Sequence, residues 1–186
     1  MRKILKRVAI GVVAFVLVGA CGGLLVFKLL EKKVAARERA PHLQQHPEVA
    51  SDLVYRTLDG ETQHLSSSKG KVVFLDLWGT WCIQCVAEMP TVQKLYNHYK
   101  GDPQVQFLIV SRLDSPSAVR LYAQRHGFDL PFYVMEDTDI PKSMILHQFP
   151  STFLYAKDGS LVSKHVGAAD WSDQSVMDFI DRLKKQ

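Results

Sequence analysis

Three cysteines in 186 residues are too few to staple a mini-protein with disulfides. No second CxxC and no paired histidine motif accompanies the one close cysteine pair, so a zinc site would lack two ligands. The seven histidines (42, 46, 64, 98, 126, 147 and 165) show no metal-ligand spacing. There is no internal repeat and no low-complexity tract. The length leaves no room for a multi-domain enzyme or a large α/β barrel. The first thirty residues contain no acid but carry Arg2, Lys3, Lys6, Arg7 and Lys28, a charge of +5. The rest of the chain has 23 − 5 = 18 basic and 19 acidic residues, a charge of −1. The overall +4 therefore belongs to the N-terminus, and nothing suggests a nucleic-acid-binding surface.

What is present divides the chain into four stretches: a basic N-terminus (1–7), an apolar run (8–30), a linker (31–50) and one domain (51–186). Val8–Phe27 has no charge, and about 20 helical residues span a bilayer core. A single transmembrane anchor is the leading expectation. A cleaved signal peptide is an alternative, although the run is long for one. So is a lipoprotein processing box at Val18-Gly19-Ala20-Cys21, although Gly22–Leu30 stays apolar after the cysteine. Basic residues flank the run on both sides, so charge alone does not orient it. In the linker, Pro41 ends any continuation of the anchor helix, and His42–Ala50 reads as a tether.

From Ser51 onwards strand and helix signals alternate. Asp59-Gly60 and Lys157-Asp158-Gly159 are turn sequences, each between two strand-like runs, Val54–Leu58 with Thr62–Leu65 and Ser151–Tyr155 with Leu161–Val166. Lys71–Leu77, Val105–Ser111 and Phe132–Met135 read as buried strands. Helices are expected over Cys82–Lys100, from Pro116 to His126 behind an N-cap at Ser115, over Ile140–His147, and over Asp170–Lys185. In the last of these Val176, Phe179, Ile180 and Leu183 should face inwards. The order predicts an α/β domain with a central mixed sheet flanked by helices.

Cys82-Ile83-Gln84-Cys85 opens a helix directly after a buried strand. A helix N-terminus carries unpaired N–H groups and partial positive charge, which stabilise a thiolate. Cys82 should be exposed there. Cys85, one turn further in, should be more covered. The spacing allows the two to close into a disulfide, with Cys82 attacking and Cys85 resolving. Asp76 interrupts an apolar strand, where a buried carboxylate is held towards its neutral form and can exchange a proton with Cys85. Glu88, one helical turn beyond Cys85, could do the same.

The segment from Val73 to Pro90, with Trp78-Gly79-Thr80-Trp81-Cys82-Ile83-Gln84-Cys85 at its centre and Glu88-Met89-Pro90 at its end, resembles the active-site segment of thioredoxin-like proteins, and more narrowly of the membrane-anchored TlpA/ResA group. Phe149-Pro150-Ser151-Thr152-Phe153-Leu154 resembles the loop that precedes a strand with a cis-proline. The resemblance covers about residues 51–186. It implies a thioredoxin fold with an N-terminal β-hairpin and a helix/strand insertion, dithiol–disulfide chemistry and an extracytoplasmic domain. It further implies a substrate groove shaped by Trp81, Phe149 and a cis Pro150, with Trp78 and Trp81 shielding the cysteines. Gln84 stands where most members of the group have proline, and His147-Gln148-Phe149-Pro150-Ser151 lacks the glycine-rich acidic stretch of the cytochrome c maturation subgroup.

The expected partners are cysteine-containing substrate proteins, such as haem- or copper-acceptor proteins, and a membrane dithiol as electron donor. No cofactor and no metal is expected, and the protein should act as a monomer at the cytoplasmic membrane with its domain on the periplasmic side. A disulfide oxidase or isomerase is the same chemistry run differently. A copper-binding assembly factor using the same cysteines would need a third ligand. A peroxidase would need a different sequence around its cysteine.

Overall fold

A computed structural model of the protein describes residues 40–48, 51–136 and 148–186. The apolar run of residues 8–30 and the expected helix Ile140–His147 lie outside them. Among the described residues no helix is long and apolar enough to cross a membrane.

Seven strands form one sheet: β1 (Val54–Thr57), β2 (Thr62–His64), β3 (Val72–Trp78), β4 (Val105–Arg112), β5 (Phe132–Met135), β6 (Ser151–Tyr155) and β7 (Leu161–Val166). Their spatial order is β2-β1-β5-β4-β3-β6-β7. Strand β3 runs parallel to β4, as β4 does to β5, while the remaining pairs are antiparallel. The sheet is mixed, as the closing hairpin requires. Among the described residues three helices follow the expected periodicity: α1 (Ile83–Tyr99), α2 (Pro116–His126) and α3 (Gln174–Lys184). The unit α2–β5 is the insertion, and it places β5 between β4 and the N-terminal hairpin.

Every residue of β3 is buried, so its two faces both meet core. Val72, Phe74 and Trp78 share one apolar cluster with Cys85, Met89 and Val92 of α1, Val119 and Tyr122 of α2, and the four inward residues of α3. Val73, Leu75 and Leu77 face a second cluster with Leu53, Leu65, Leu108 and Phe153. This period of two puts Asp76 on the α1 face.

Three boundaries differ from the sequence reading. Strand β2 stops at His64 because Leu65 starts a short 3-10 turn to Ser68, with the Leu65 N–H bonded to the Leu53 carbonyl. The last helix starts at Gln174 and not at Asp170, because the Asp173 carboxylate accepts from the Ser175 N–H and caps it. Residues 46–48, read as part of a tether, bond along the edge of β7 at His46→Val162 (2.9 Å) and Glu48→Leu161 (2.8 Å), and so cover part of that exposed edge.

Candidate active site

The strand directions bring five pieces of chain to one end of the sheet. The carboxyl ends of the parallel strands β3 and β4 lie there. So do the start of β6 and the end of β7, since Leu77 pairs with Ser151 and Ser151 with Val166. The fifth piece is the start of α1, which follows β3 after a four-residue turn.

Cys82 is the N-cap of α1, with extended backbone at φ −92° and ψ 107°. Its sulfur is bonded to that of Cys85, with a Cα–Cα separation of 5.2 Å. The Cys85 N–H also points at the Cys82 sulfur, at 3.2 Å. One of the unpaired donors of the helix start is thereby aimed at the sulfur expected to carry negative charge. Cys82 is more covered than expected, at 8% exposure, because its side chain folds back onto the first helical turn; Cys85 has none. The order of access expected from the sequence is kept, although the difference is small.

Asp76 is fully buried. Thr152, its partner across β6, donates its hydroxyl to Oδ1 at 3.3 Å, and Oδ2 has no hydrogen-bond partner among the described residues. Burial pushes its carboxyl up to about 7, against a smaller lowering from the Thr152 hydroxyl. A carboxyl tuned near neutral pH can take up and return a proton.

Glu88 is also fully buried, and is not a solvated helix-face acid. Its Oε2 accepts from the Ala169 N–H at 3.1 Å and from the Trp171 indole N–H at 2.8 Å. Three residues on, the Thr91 hydroxyl donates to the Glu88 carbonyl (2.7 Å) and accepts from the Trp171 N–H (3.1 Å). Glu88 and Thr91 thus strap the first turns of α1 to the segment preceding α3. Neither Thr91 nor Trp171 carries a sequence signal for this, and the periodicity places Trp171 inside a helix that in fact starts after it.

The Phe149–Pro150 peptide is cis, and the Gly167 N–H bonds to the Pro150 carbonyl at 2.9 Å. The two tryptophans differ in role. Trp78 is fully buried against Tyr122 and Phe132, with ring centroids 4.9 and 5.2 Å away. It is a core residue. Trp81 is 51% exposed and meets Phe149 edge-on at 5.4 Å. Its indole N–H donates to the Arg112 carbonyl at 3.3 Å, and the Arg112 guanidinium lies over the Phe149 ring at 5.5 Å. Asp114 holds the turn before Cys82. It accepts from Thr80 N–H and Thr80 hydroxyl, each at 2.8 Å, and from the Ser111 hydroxyl at 2.6 Å. Sequence reasoning missed Asp114, because an acid just before the Ser115 N-cap looks like part of a helix start.

Gly79 is required by this packing. A Cβ there would sit 2.5 Å from Trp81 Nε1 and 2.6 Å from Cε2. Gly79→Ala is expected to displace the half-exposed indole, at a cost of about 1 kcal/mol for the lost hydrogen bond to the Arg112 carbonyl. A urea titration read by tryptophan fluorescence checks this, since both the midpoint and the folded-state emission should change.

A dithiol pair at a helix start, next to a cis-proline loop on a mixed five-strand core with an added hairpin, defines a thioredoxin-fold redox protein. The Redoxin family profile matches residues 35–179. Among curated proteins the chain is similar to the thiol-disulfide oxidoreductase ResA of Halalkalibacterium halodurans, 30% identical over 139 residues, covering 75% of this chain and 77% of that one. It is also similar to ResA of Bacillus cereus, 31% identical over 156 residues, covering 84% and 85%. Among solved structures, a thiol:disulfide interchange protein from a Bacteroides species superposes with a TM-score of 0.64 at 23% identity, covering 74% and 91%. The thioredoxin domain of a thiol-disulfide oxidoreductase from Bacteroides vulgatus does so with 0.62 at 24%, covering 72% and 96%. At these identities the structural likeness is one of fold. The chain belongs to the Redoxin family, as a thioredoxin-like thiol–disulfide oxidoreductase of the ResA type.

Proposed function

We propose that the protein is a membrane-tethered reductase, which opens disulfides of specific partner proteins outside the cytoplasm. The Cys82–Cys85 disulfide at the start of α1, beside the cis Phe149–Pro150 loop, carries this reading. In the forward direction the Cys82 thiolate attacks one sulfur of a partner disulfide. A mixed disulfide forms and the partner's other sulfur leaves as a thiolate. The Cys85 thiolate then attacks the Cys82 sulfur, which releases the partner's second thiolate. The partner has gained two electrons and the protein holds the bonded cysteines. A dithiol donor reached through the membrane must return those two electrons. Asp76 supplies the acid–base group for Cys85 in this reading, and Glu88 the strap that fixes the helix start, with Trp81, Phe149 and Pro150 bordering the groove for the partner's chain.

Apolar residues 8–30 after a basic start are the support for the tether, and the chemistry supports its orientation. Outside the cytoplasm disulfides form and persist, so cysteine pairs that must stay reduced, such as those of haem- or copper-acceptor proteins, need a dedicated reductant. Two measurements test this together. A thiol reagent unable to cross membranes should label reduced Cys82 in intact cells, and the reduction potential of the pair should fall nearer the roughly −270 mV typical of thioredoxin than the roughly −120 mV of a strong disulfide-forming oxidant. Labelling only after lysis would place the domain inside, and a potential near the oxidising end would reverse the direction of the reaction.

A further inference from the structure

Leu113 stands apart from the rest of the fold. Its φ is +66°, and it is the only non-glycine residue with positive φ among the described residues. A leucine in the left-handed region is uncommon and strained, whereas glycine or asparagine adopts it readily. Packing does not explain why leucine is here, because its side chain is 65% exposed. The turn itself needs the left-handed backbone. It lets the Arg112 carbonyl accept from Trp81 while the Asp114 carboxylate accepts from Thr80. The turn does not need the leucine side chain. Both neighbours of Leu113 are therefore tied to the two residues that directly precede Cys82, and between them a strained, bulky apolar side chain is held out into solvent.

Its setting is distinctive as well. Among the described residues five large hydrophobic side chains are exposed: Trp81, Ile83, Leu113, Leu121 and Val166. All but Leu121 lie at the end of the sheet that carries the disulfide. Strain retained at an exposed position, between two residues hydrogen-bonded to the turn that precedes Cys82, points to a contact made during function.

We infer that Leu113 is a specificity-determining residue, which packs against a bulky apolar side chain next to the reacting cysteine of a partner's extended segment. This rests on the reductase reading above and names the kind of partner that reading leaves open. The left-handed turn lifts the side chain clear of the domain surface, so that a partner chain brought to Cys82 meets it. Its contribution is to binding and not to the sulfur chemistry.

The test uses the full chain reduced with dithiothreitol and then freed of it, in single turnover against an excess of either of two disulfide-cyclised peptides that differ only in having leucine or serine beside one cysteine. Wild type should reduce the leucine peptide with a second-order rate constant about tenfold higher, as burial of a leucine side chain allows. The difference should lie in the peptide concentration that half-saturates the rate, with the limiting rate alike for the two. Leu113→Asn should bring the two peptides within about twofold of each other, because asparagine tolerates the backbone but offers no apolar contact. Its thermal midpoint should be no lower than that of wild type. Leu113→Met should restore the preference. Retention of the preference in Leu113→Asn overturns the inference. So does a marked loss of stability in that variant, which would make Leu113 a structural residue. The reduction potential of the Cys82–Cys85 pair in wild type separates the two levels. If it lies at the reducing end but wild type does not discriminate between the peptides, only the role of Leu113 fails; if it lies at the oxidising end, the reductase reading fails and takes this inference with it.

Discussion

Cys85→Ser is expected to turn the protein into a trap, leaving partner proteins joined to it through Cys82. Cys82→Ala is expected to abolish exchange altogether. The asymmetry follows from position. Cys82 caps α1 and is the one residue of the pair with any exposure, while Cys85 has none. The Cys85 N–H aimed at the Cys82 sulfur, together with the helix start, favours negative charge there once the pair is reduced. An incoming disulfide therefore meets Cys82 first. Without the second thiol, the mixed disulfide has no internal route to release. Non-reducing gels of whole-cell lysates from cells carrying each variant check the assignment. Cys85→Ser should show adducts that vanish with dithiothreitol, and Cys82→Ala should show none. Adducts in Cys82→Ser but not in Cys85→Ser would exchange the two roles.

The parts of this site that are legible in the sequence are those set by local pattern. An apolar run broken by Asp76 already indicates a buried acid, because the alternation of a strand places residue 76 with Phe74 and Trp78. The cysteines can be placed because a strand followed directly by a helix fixes where the helix start must lie. What cannot be read depends on contacts between distant segments. The partners of Glu88 are Ala169 and Trp171, some eighty positions away, and nothing near Glu88 marks it as a strap and not as surface charge. Asp114 holds Thr80 across 34 positions, again without a local signal. The start of α3 is misread for a related reason. Asp170–Lys185 has helical periodicity throughout, but the Trp171 N–H is drawn to Thr91 and the helix waits for its cap at Asp173. The left-handed backbone of Leu113 is invisible in the sequence because leucine is among the residues least expected to adopt it.

Asp76→Asn is expected to make the protein both more stable and slower, and the two effects share one cause. The carboxyl is raised from 3.8 to about 7, mainly by burial. Below pH 3.8 it is protonated in both the folded and the unfolded chain, and it carries no penalty. Between 3.8 and about 7 the unfolded chain releases its proton while the folded chain keeps it, so stability falls steadily as pH rises. Above about 7 the folded chain must hold the buried charge, and the loss is complete. It amounts to a few kcal/mol, since each tenfold difference in proton affinity between the folded and unfolded chain is worth about 1.4 kcal/mol. Asparagine carries no charge at any of these pH values. Urea midpoints of the variant and wild type should therefore coincide near pH 4 and separate by pH 8, with the variant higher. Cys85 must lose its own thiol proton before it attacks the Cys82 sulfur, and Asp76 can accept that proton only where its carboxyl is ionised, from about pH 7 upwards. Asp76 lies on the face of β3 that packs under α1, where a carboxylate can receive it. Glu88 binds Ala169 and Trp171 through Oε2, and the double variant Asp76→Asn with Glu88→Gln tests whether it substitutes for Asp76. Release of the partner from the mixed disulfide should then slow by roughly 10²–10⁴-fold in Asp76→Asn, while the first attack by Cys82 changes little. Stopped-flow measurement of the mixed-disulfide lifetime across pH separates the two steps. A lifetime equal to wild type at pH 7, in a variant that is nonetheless more stable at pH 8, would leave Asp76 as a buried acid with no part in resolution. A wild-type lifetime with the midpoints coincident at every pH would mean that burial does not hold the proton on it.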